Sequence, residues 1–89
     1  MTFSIEISST AEKDLDSLDN KNCEIILKKL QKIKHEPIRY LERLAGYTLY
    51  KLRCGDYRVI VRIDGSKNLL QVIMVGHRKN IYRRLHKTV

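Results

Sequence analysis

Lys51, Arg53, Arg58 and Arg62 fall in one short run, YKLRCGDYRVIVRI, from Tyr50 to Ile63, and GHRKNIYRR follows from Gly76 to Arg84. Together they supply guanidinium and ammonium groups, an imidazole (His77) and a phenol (Tyr82). Those types suffice to cut RNA without a metal. The 2′-hydroxyl must lose its proton, the pentacovalent phosphorane must be neutralised, and the 5′-oxygen leaving group must gain a proton. Preorganised donors aimed at developing charge contribute about 10²–10³ in rate each. A phenol or amine among cations gives up its proton more readily, so Tyr82 and Lys51 are the candidate bases. His77 or an arginine can assist the leaving group. Binding alone would need only the cations and would weaken steeply with salt. The plainer alternative is a wet sheet face over which long basic side chains snorkel, with an idle histidine at a strand end.

Other chemistries find no support in the sequence. There is no pair of carboxylates suited to hydrolysis, no glycine-rich phosphate loop, no Ser/His/Asp set, and no zinc or calcium spacing. Asp56 and Asp64 sit in expected turns without acidic neighbours. No metal or cofactor is expected.

The charge distribution points to a polyanion. The chain has 89 residues and a net charge of +8, with a pI near 9.7. Residues 1–44 balance their basic and acidic side chains, whereas residues 45–89 contain only Asp56 and Asp64 as acids, so the whole excess lies there. A surface built only for solubility mixes the signs throughout. The length suits one domain, 1–89, and the composition suits a folded one. Cys23 and Cys54 lack CxxC or metal spacing and read as buried thiols. Without a signal-like start or a membrane-length apolar run, a cytoplasmic protein with no membrane partner is expected.

The elements that must position these groups follow from periodicity. FSIEIS alternates as a half-buried strand. Ser9 and Glu12 have capping-box spacing, which starts a first helix with Ala11, Leu15 and Leu18 along one side. A second helix from about Lys21 to His35 aligns Cys23, Ile26, Leu27, Leu30 and Ile33, with Lys28, Lys29 and Lys32 on a solvated face, and Pro37 stops it. YTLYKLRC, YRVIVRI and LLQVIMVGH read as three strands joined by turns at Gly55-Asp56 and DGSKN, and KNIYRRLHK as a short basic helix or tail. The expected class is α+β: an N-terminal strand, two helices, then a three-stranded antiparallel meander with the helices on one sheet face. The first strand would lie at an edge or beside a later strand.

Period two then sorts the side chains. Tyr57, Val59, Val61 and Ile63 share one face with Tyr50, Leu52 and Cys54 of the preceding strand. Lys51, Arg53, Arg58 and Arg62 project together from the other, expected to be uncovered and free of acids. Like charges facing each other across strands are destabilising alone, so an anion would complete the site.

The β-α-α-β-β-β order, the Leu52-Arg53-Cys54-Gly55-Asp56-Tyr57-Arg58 block, and Gly76-His77-Arg78 followed by Tyr82 resemble the RelE/ParE superfamily of type II toxins, specifically its RelE branch. The resemblance spans essentially the whole chain. It implies a RelE-like fold and a metal-independent, ribosome-dependent mRNA endonuclease that inhibits translation. It also implies a RelB-like antitoxin partner, contact with ribosome and mRNA, and operator DNA reached only through the antitoxin complex. By residue, it implies catalytic roles for Lys51 (base or phosphate ligand), Arg58 (transition-state charge), Arg78 (phosphate or leaving group) and Tyr82 (stacking or activation). Arg53, Arg62, His77, Lys79, Arg83 and Arg84 are the candidates for holding RNA. Leu49 stands where some relatives carry a second lysine, which leaves Arg53 or Arg62 to supply that charge. The Arg78–Tyr82 interval is also shorter than in some relatives. The competing readings are a ParE-like inhibitor of DNA gyrase and a non-catalytic nucleic-acid-binding domain or degenerate toxin.

Overall fold

Alternating apolar residues in FSIEIS and in the long C-terminal runs build a single sheet. The computed structural model describes residues 2–88. Strands β1 (Ser4–Ile7), β2 (Glu42–Arg43), β3 (Tyr50–Cys54), β4 (Tyr57–Asp64) and β5 (Leu69–His77) lie in the order β1-β5-β4-β3-β2. Helices α1 (Ser9–Asp16), α2 (Asn20–Ile33) and α3 (Pro37–Tyr40) connect β1 to β2, and α4 (Ile81–Thr88) follows β5. β1 runs parallel to β5 at one edge, while β2 through β5 are antiparallel. The α+β class and the β3-β4-β5 meander match the sequence reading. Among the described residues, no helix is long and apolar enough to cross a membrane.

Several details differ. The first meander strand begins at Tyr50, not Tyr47. Residues 44–49 instead close a loop in which the Leu44 N–H donates to the Leu49 carbonyl at 2.9 Å and Gly46 takes φ +81°. That loop returns the chain against β2, an edge strand too short for any periodicity to reveal. Pro37 occupies the first turn of α3, where its missing N–H has no helical partner to lose. The cap of α1 is Ser8, one residue before the expected Ser9: its Oγ accepts from the Ala11 N–H at 3.1 Å. Ala11, not Glu12, therefore occupies the third helical position, and no capping box forms. Asp19 caps α2 through the Asn22 N–H.

The sheet is covered on both faces. On the first, Ala11, Leu15, Ile26, Leu30 and Ile33 of α1 and α2 pack on Leu52, Val59, Val61, Leu70, Val72 and Val75. Leu27, expected on that stripe, is 40% exposed. On the second, Ile81 and Leu85 of α4 join Leu44, Leu49, Ile60 and Met74. The face expected to be open is thus partly roofed by the C-terminal helix.

A bulge in β5 changes which of its side chains reach each face. Ile60 pairs with Met74 but Val61 pairs with Val72, so Ile73 is an extra residue that resets the alternation of β5. The Ser8 hydroxyl donates to the Ile73 carbonyl at 2.9 Å, so one side chain caps α1 and pins it to the bulge. Ser8→Ala should destabilise the protein by about 1–2 kcal/mol, as for a lost N-cap, and Ser9→Ala by less than about 0.5 kcal/mol. Urea unfolding of the two variants checks this, and equal losses would contradict the cap assignment.

Candidate active site

The β3–β4 hairpin and α4 together present the cations. Lys51 and Arg53 project from β3 on the α4 side of the sheet, opposite Ile60 and Arg58 respectively. The Lys51 Nζ stands 5.7 Å from the ring centroid of Tyr82, the second residue of α4. A cation over a phenol face is attracted by the ring quadrupole, so the two hold each other in place. The Lys51 side chain is only 21% exposed.

Arg58 is fixed by backbone. Its Nη1 donates to the carbonyls of Gly55 at 2.7 Å and Tyr57 at 2.9 Å, folding the side chain over the hairpin turn. Gly55, with φ +61°, supplies the left-handed residue that this turn requires. Among the described residues no carboxylate pairs with Arg58, so Nε and Nη2 keep their donors for an external anion. Arg78 is tied to the same turn: its N–H donates to the Asp56 carbonyl at 2.8 Å, and its Nε lies 3.7 Å from the Asp56 carboxylate. Both partners of that ion pair are more than half exposed, so the pair contributes little and an incoming phosphate can displace it.

An acid does enter the cluster, contrary to expectation. Glu42 of β2 approaches Arg53 Nε at 3.3 Å and Lys51 Nζ at 3.9 Å. Lys29, expected on a solvated helix face, reaches over to donate to the Arg53 carbonyl at the end of β3. Neither residue carries a sequence signal for this site. Glu42 depends on the unforeseen edge strand, and Lys29 looks like any lysine of a basic helix.

Three residues expected in the cluster are placed elsewhere. His77 pairs with Tyr57 and meets its ring edge-on at 5.7 Å, on the α1/α2 side of the sheet. Its Nδ1 accepts from the Lys79 N–H at 3.2 Å, shaping the turn into α4. Arg62 stands across from Gln71, with buried Ile60 between it and Arg58 along β4. Arg84 is engaged inside the fold: Nη2 donates to both carboxylate oxygens of Asp14, at 3.1 and 3.2 Å, and Nη1 to the Val75 carbonyl at 3.1 Å. Lys79 and Arg83 are exposed on the turn and on α4.

Comparison with known proteins places the chain. Residues 5–82 match the model of the ParE toxin of the type II toxin–antitoxin system parDE. Toxin RelG of Mycobacterium tuberculosis is 32% identical over 89 residues, which covers 94% of this chain and 100% of RelG. The chain is a toxin of the RelE/ParE superfamily. Its fold is similar to that of an E. coli RelE variant in the free state, with a TM-score of 0.79 and 26% identity over 100% of this chain and 99% of that one. It is also similar to RelE in the archaeal RelE–RelB complex of Pyrococcus horikoshii, with a TM-score of 0.75, 26% identity, and coverage of 88% and 97%. The matched family model carries the ParE name and these relatives carry RelG and RelE names, so the superfamily is the level on which all agree.

Cys54 reports on the toxin's hairpin. It is 5% exposed at the end of β3, and burial pushes its thiol up from the ordinary cysteine range, against the opposing pull of Lys29 and Arg58. Cys23 is only partly buried, and both thiols are free. Iodoacetamide near neutral pH should modify Cys23 more than about tenfold faster than Cys54, because the thiolate is the nucleophile and needs access. Peptide mass mapping of a time course measures the two rates. Equal rates would mean that the hairpin opens in solution.

Proposed function

We propose that this toxin is a metal-independent mRNA endonuclease that cuts on the ribosome by 2′-hydroxyl attack and is held inactive by a RelB-like antitoxin. The observation that carries this reading is the Lys51–Tyr82 contact at 5.7 Å on the face that also presents Arg53 and Arg58. In this reading one of Lys51 and Tyr82 takes the 2′-proton while the other holds or stacks on the nucleotide. Arg58 is preorganised on backbone carbonyls with donors to spare, which suits it to the equatorial oxygens of the phosphorane. Arg78, weakly held at the same turn, is assigned to the scissile phosphate and to the charge on its leaving 5′-oxygen, which then takes its proton from water. Arg53, Lys79 and Arg83 extend the cationic track for RNA, Arg62 lies at its margin, and His77 is left out because it faces the α1/α2 side of the sheet. Arg84 is left out of the RNA contacts because Asp14 already takes its charge.

The antitoxin partner is supported by solved relatives described as RelE–RelB and RelBE complexes. An acidic or amphipathic segment that orders across the cationic half would satisfy its charge. Operator DNA would be reached only through that complex, and the toxin would act in the cytoplasm, where translating ribosomes are. The match to a ParE model favours a second reading, inhibition of DNA gyrase through protein contacts.

Primer extension on a ribosome-bound message, with purified toxin, separates the two readings. Codon-phased cuts are expected. Intact message together with blocked supercoiling would select gyrase. Arg58→Ala and Arg78→Ala should each lower cleavage by about 10²-fold or more, the scale of one lost transition-state donor, while the variants remain folded. If both variants cut like the parent, the site is misassigned. Glu42→Gln removes the carboxylate that competes for Lys51 and Arg53. It should tighten binding of a short single-stranded RNA by about two- to fivefold at low salt, as befits a partly exposed ion pair worth about 1 kcal/mol or less. Fluorescence anisotropy at two salt concentrations measures this.

A further inference from the structure

Helix α4 carries Tyr82 into the site, yet little in its own sequence fixes where it sits. It has 8 residues, too few to be stable as an isolated helix. Its apolar stripe is Ile81 and Leu85, resting on Ile60, Met74, Leu44 and Leu49. Such contact is non-directional and leaves a short helix free to roll or slide. A roll would carry Tyr82 away from Lys51.

Two directional contacts hold it: one between Tyr47 Oη and His86 Nδ1, 3.3 Å apart on the exposed surface, and the better shielded one from Arg84. At about 100° per residue, Tyr82 and Arg84 flank the Ile81/Leu85 stripe on opposite sides, so holding one sets the other. β1 pairs with β5 only as far as Val72, which leaves the Val75 N–H and carbonyl facing outward beyond the end of the strand. Asp14 of α1 accepts the Val75 N–H at 3.0 Å, Arg84 donates to the Val75 carbonyl at 3.1 Å, and the two side chains join in a two-oxygen ion pair at 3.1 and 3.2 Å. The group wraps the sheet edge and ties a helix on one face to a helix on the other. The Asp14 side chain is only 18% exposed, so the pair is better shielded than those on the surface. Gly76 permits the approach: a Cβ there would stand 2.9 Å from Ile81 Cδ1 and 3.3 Å from Arg84 Nη1.

We propose that the Asp14–Arg84 pair is the clamp that sets the rotation of α4 and thereby positions Tyr82 against Lys51, making Arg84 a positioning residue of the nuclease site. The proposal rests on the endonuclease reading and deepens it.

The test is a double-mutant cycle with an independent structural readout. With purified toxin and a ribosome-bound message, Arg84→Gln should lower kcat by about 10- to 100-fold with KM changed less than about threefold, the scale of a misplaced reacting group. Arg84→Lys keeps one donor for Asp14 and should recover most of that loss. Asp14→Asn keeps an acceptor for Val75 N–H but loses the charge; it should behave like Arg84→Gln, and it serves if that variant folds poorly. In a Tyr82→Ala background, Arg84→Gln should cost nothing further. Hydrogen exchange should show faster amide exchange in α4 of Arg84→Gln, with β4 unchanged. An equal loss in the Tyr82→Ala background overturns the proposal, because Arg84 would then act on RNA directly. A Tyr82→Ala toxin that cuts like its parent overturns it too, and so does unchanged protection of α4. A parent that fails to cut message sinks the endonuclease reading instead, and the exchange result alone then decides whether Arg84 clamps the helix.

Discussion

Val59, Ile60 and Val61 are each fully buried, although successive residues of β4 point to opposite sides of the sheet. A strand whose neighbouring side chains are all dry needs a cover on both faces. α1 and α2 provide one, with five apolar side chains over the sheet. The other cover is α4, which brings only Ile81 and Leu85. So small a roof keeps Ile60 and Met74 dry and leaves the ends of the strands wet. The cations stand on that margin between a dry centre and open solvent. Their stems can lie along apolar surface while their heads meet an anion.

The margin also explains why identical side chains end in different roles. Arg84 and Arg58 are both guanidinium groups beside the same pair of strands. Arg84 finds a carboxylate on α1 and becomes part of the fold. Arg58 finds only carbonyl oxygens, which orient it without cancelling its charge. Arg78 and Asp56 are too exposed for their pairing to stabilise much, and Glu42 is divided between Lys51 and Arg53. The excess positive charge in the sequence is therefore spread unevenly. Near the hairpin turn only Asp56 and Glu42 offset Lys51, Arg53, Arg58 and Arg78, and a phosphate would be the natural counter-ion for the remainder.

The parts of this arrangement readable from the sequence are those that depend on local period. Alternation in YRVIVRI and the turn at Gly55-Asp56 locate the hairpin and put Lys51, Arg53 and Arg58 on one side, as observed. His77 falls outside the cluster for a specific reason. Counting by twos from Leu69 puts it on the α4 side, but the extra residue Ile73 resets the phase, and His77 turns toward Tyr57 instead. No residue type in LLQVIMVGH announces that bulge. Ser8 and Ser9 are equally good caps by type, and the carbonyl at the bulge decides between them. Arg84 and Asp14 are 70 positions apart, beyond any pattern in a single sequence. The C-terminal segment reads from the sequence as either a short basic helix or a tail, and the docking of Ile81 and Leu85 on Ile60 and Met74 decides for the helix.

The site is consequently built from two parts of unequal firmness. Lys51, Arg53 and Arg58 sit on strands whose backbone is bonded on both sides and whose apolar neighbours are fully buried. Tyr82 sits on one short helix held by two apolar side chains, the Asp14–Arg84 pair and a contact between Tyr47 Oη and His86 Nδ1 at 3.3 Å. Local opening concentrates in elements with few buried contacts, so α4 should leave its place far more often than the hairpin does. When it does, the phosphate-facing cations stay where they were, but the phenol departs and Lys51 loses its companion. Affinity for a polyanion would survive that step, and alignment for chemistry would not. This partition makes binding and cutting separable properties of the same face.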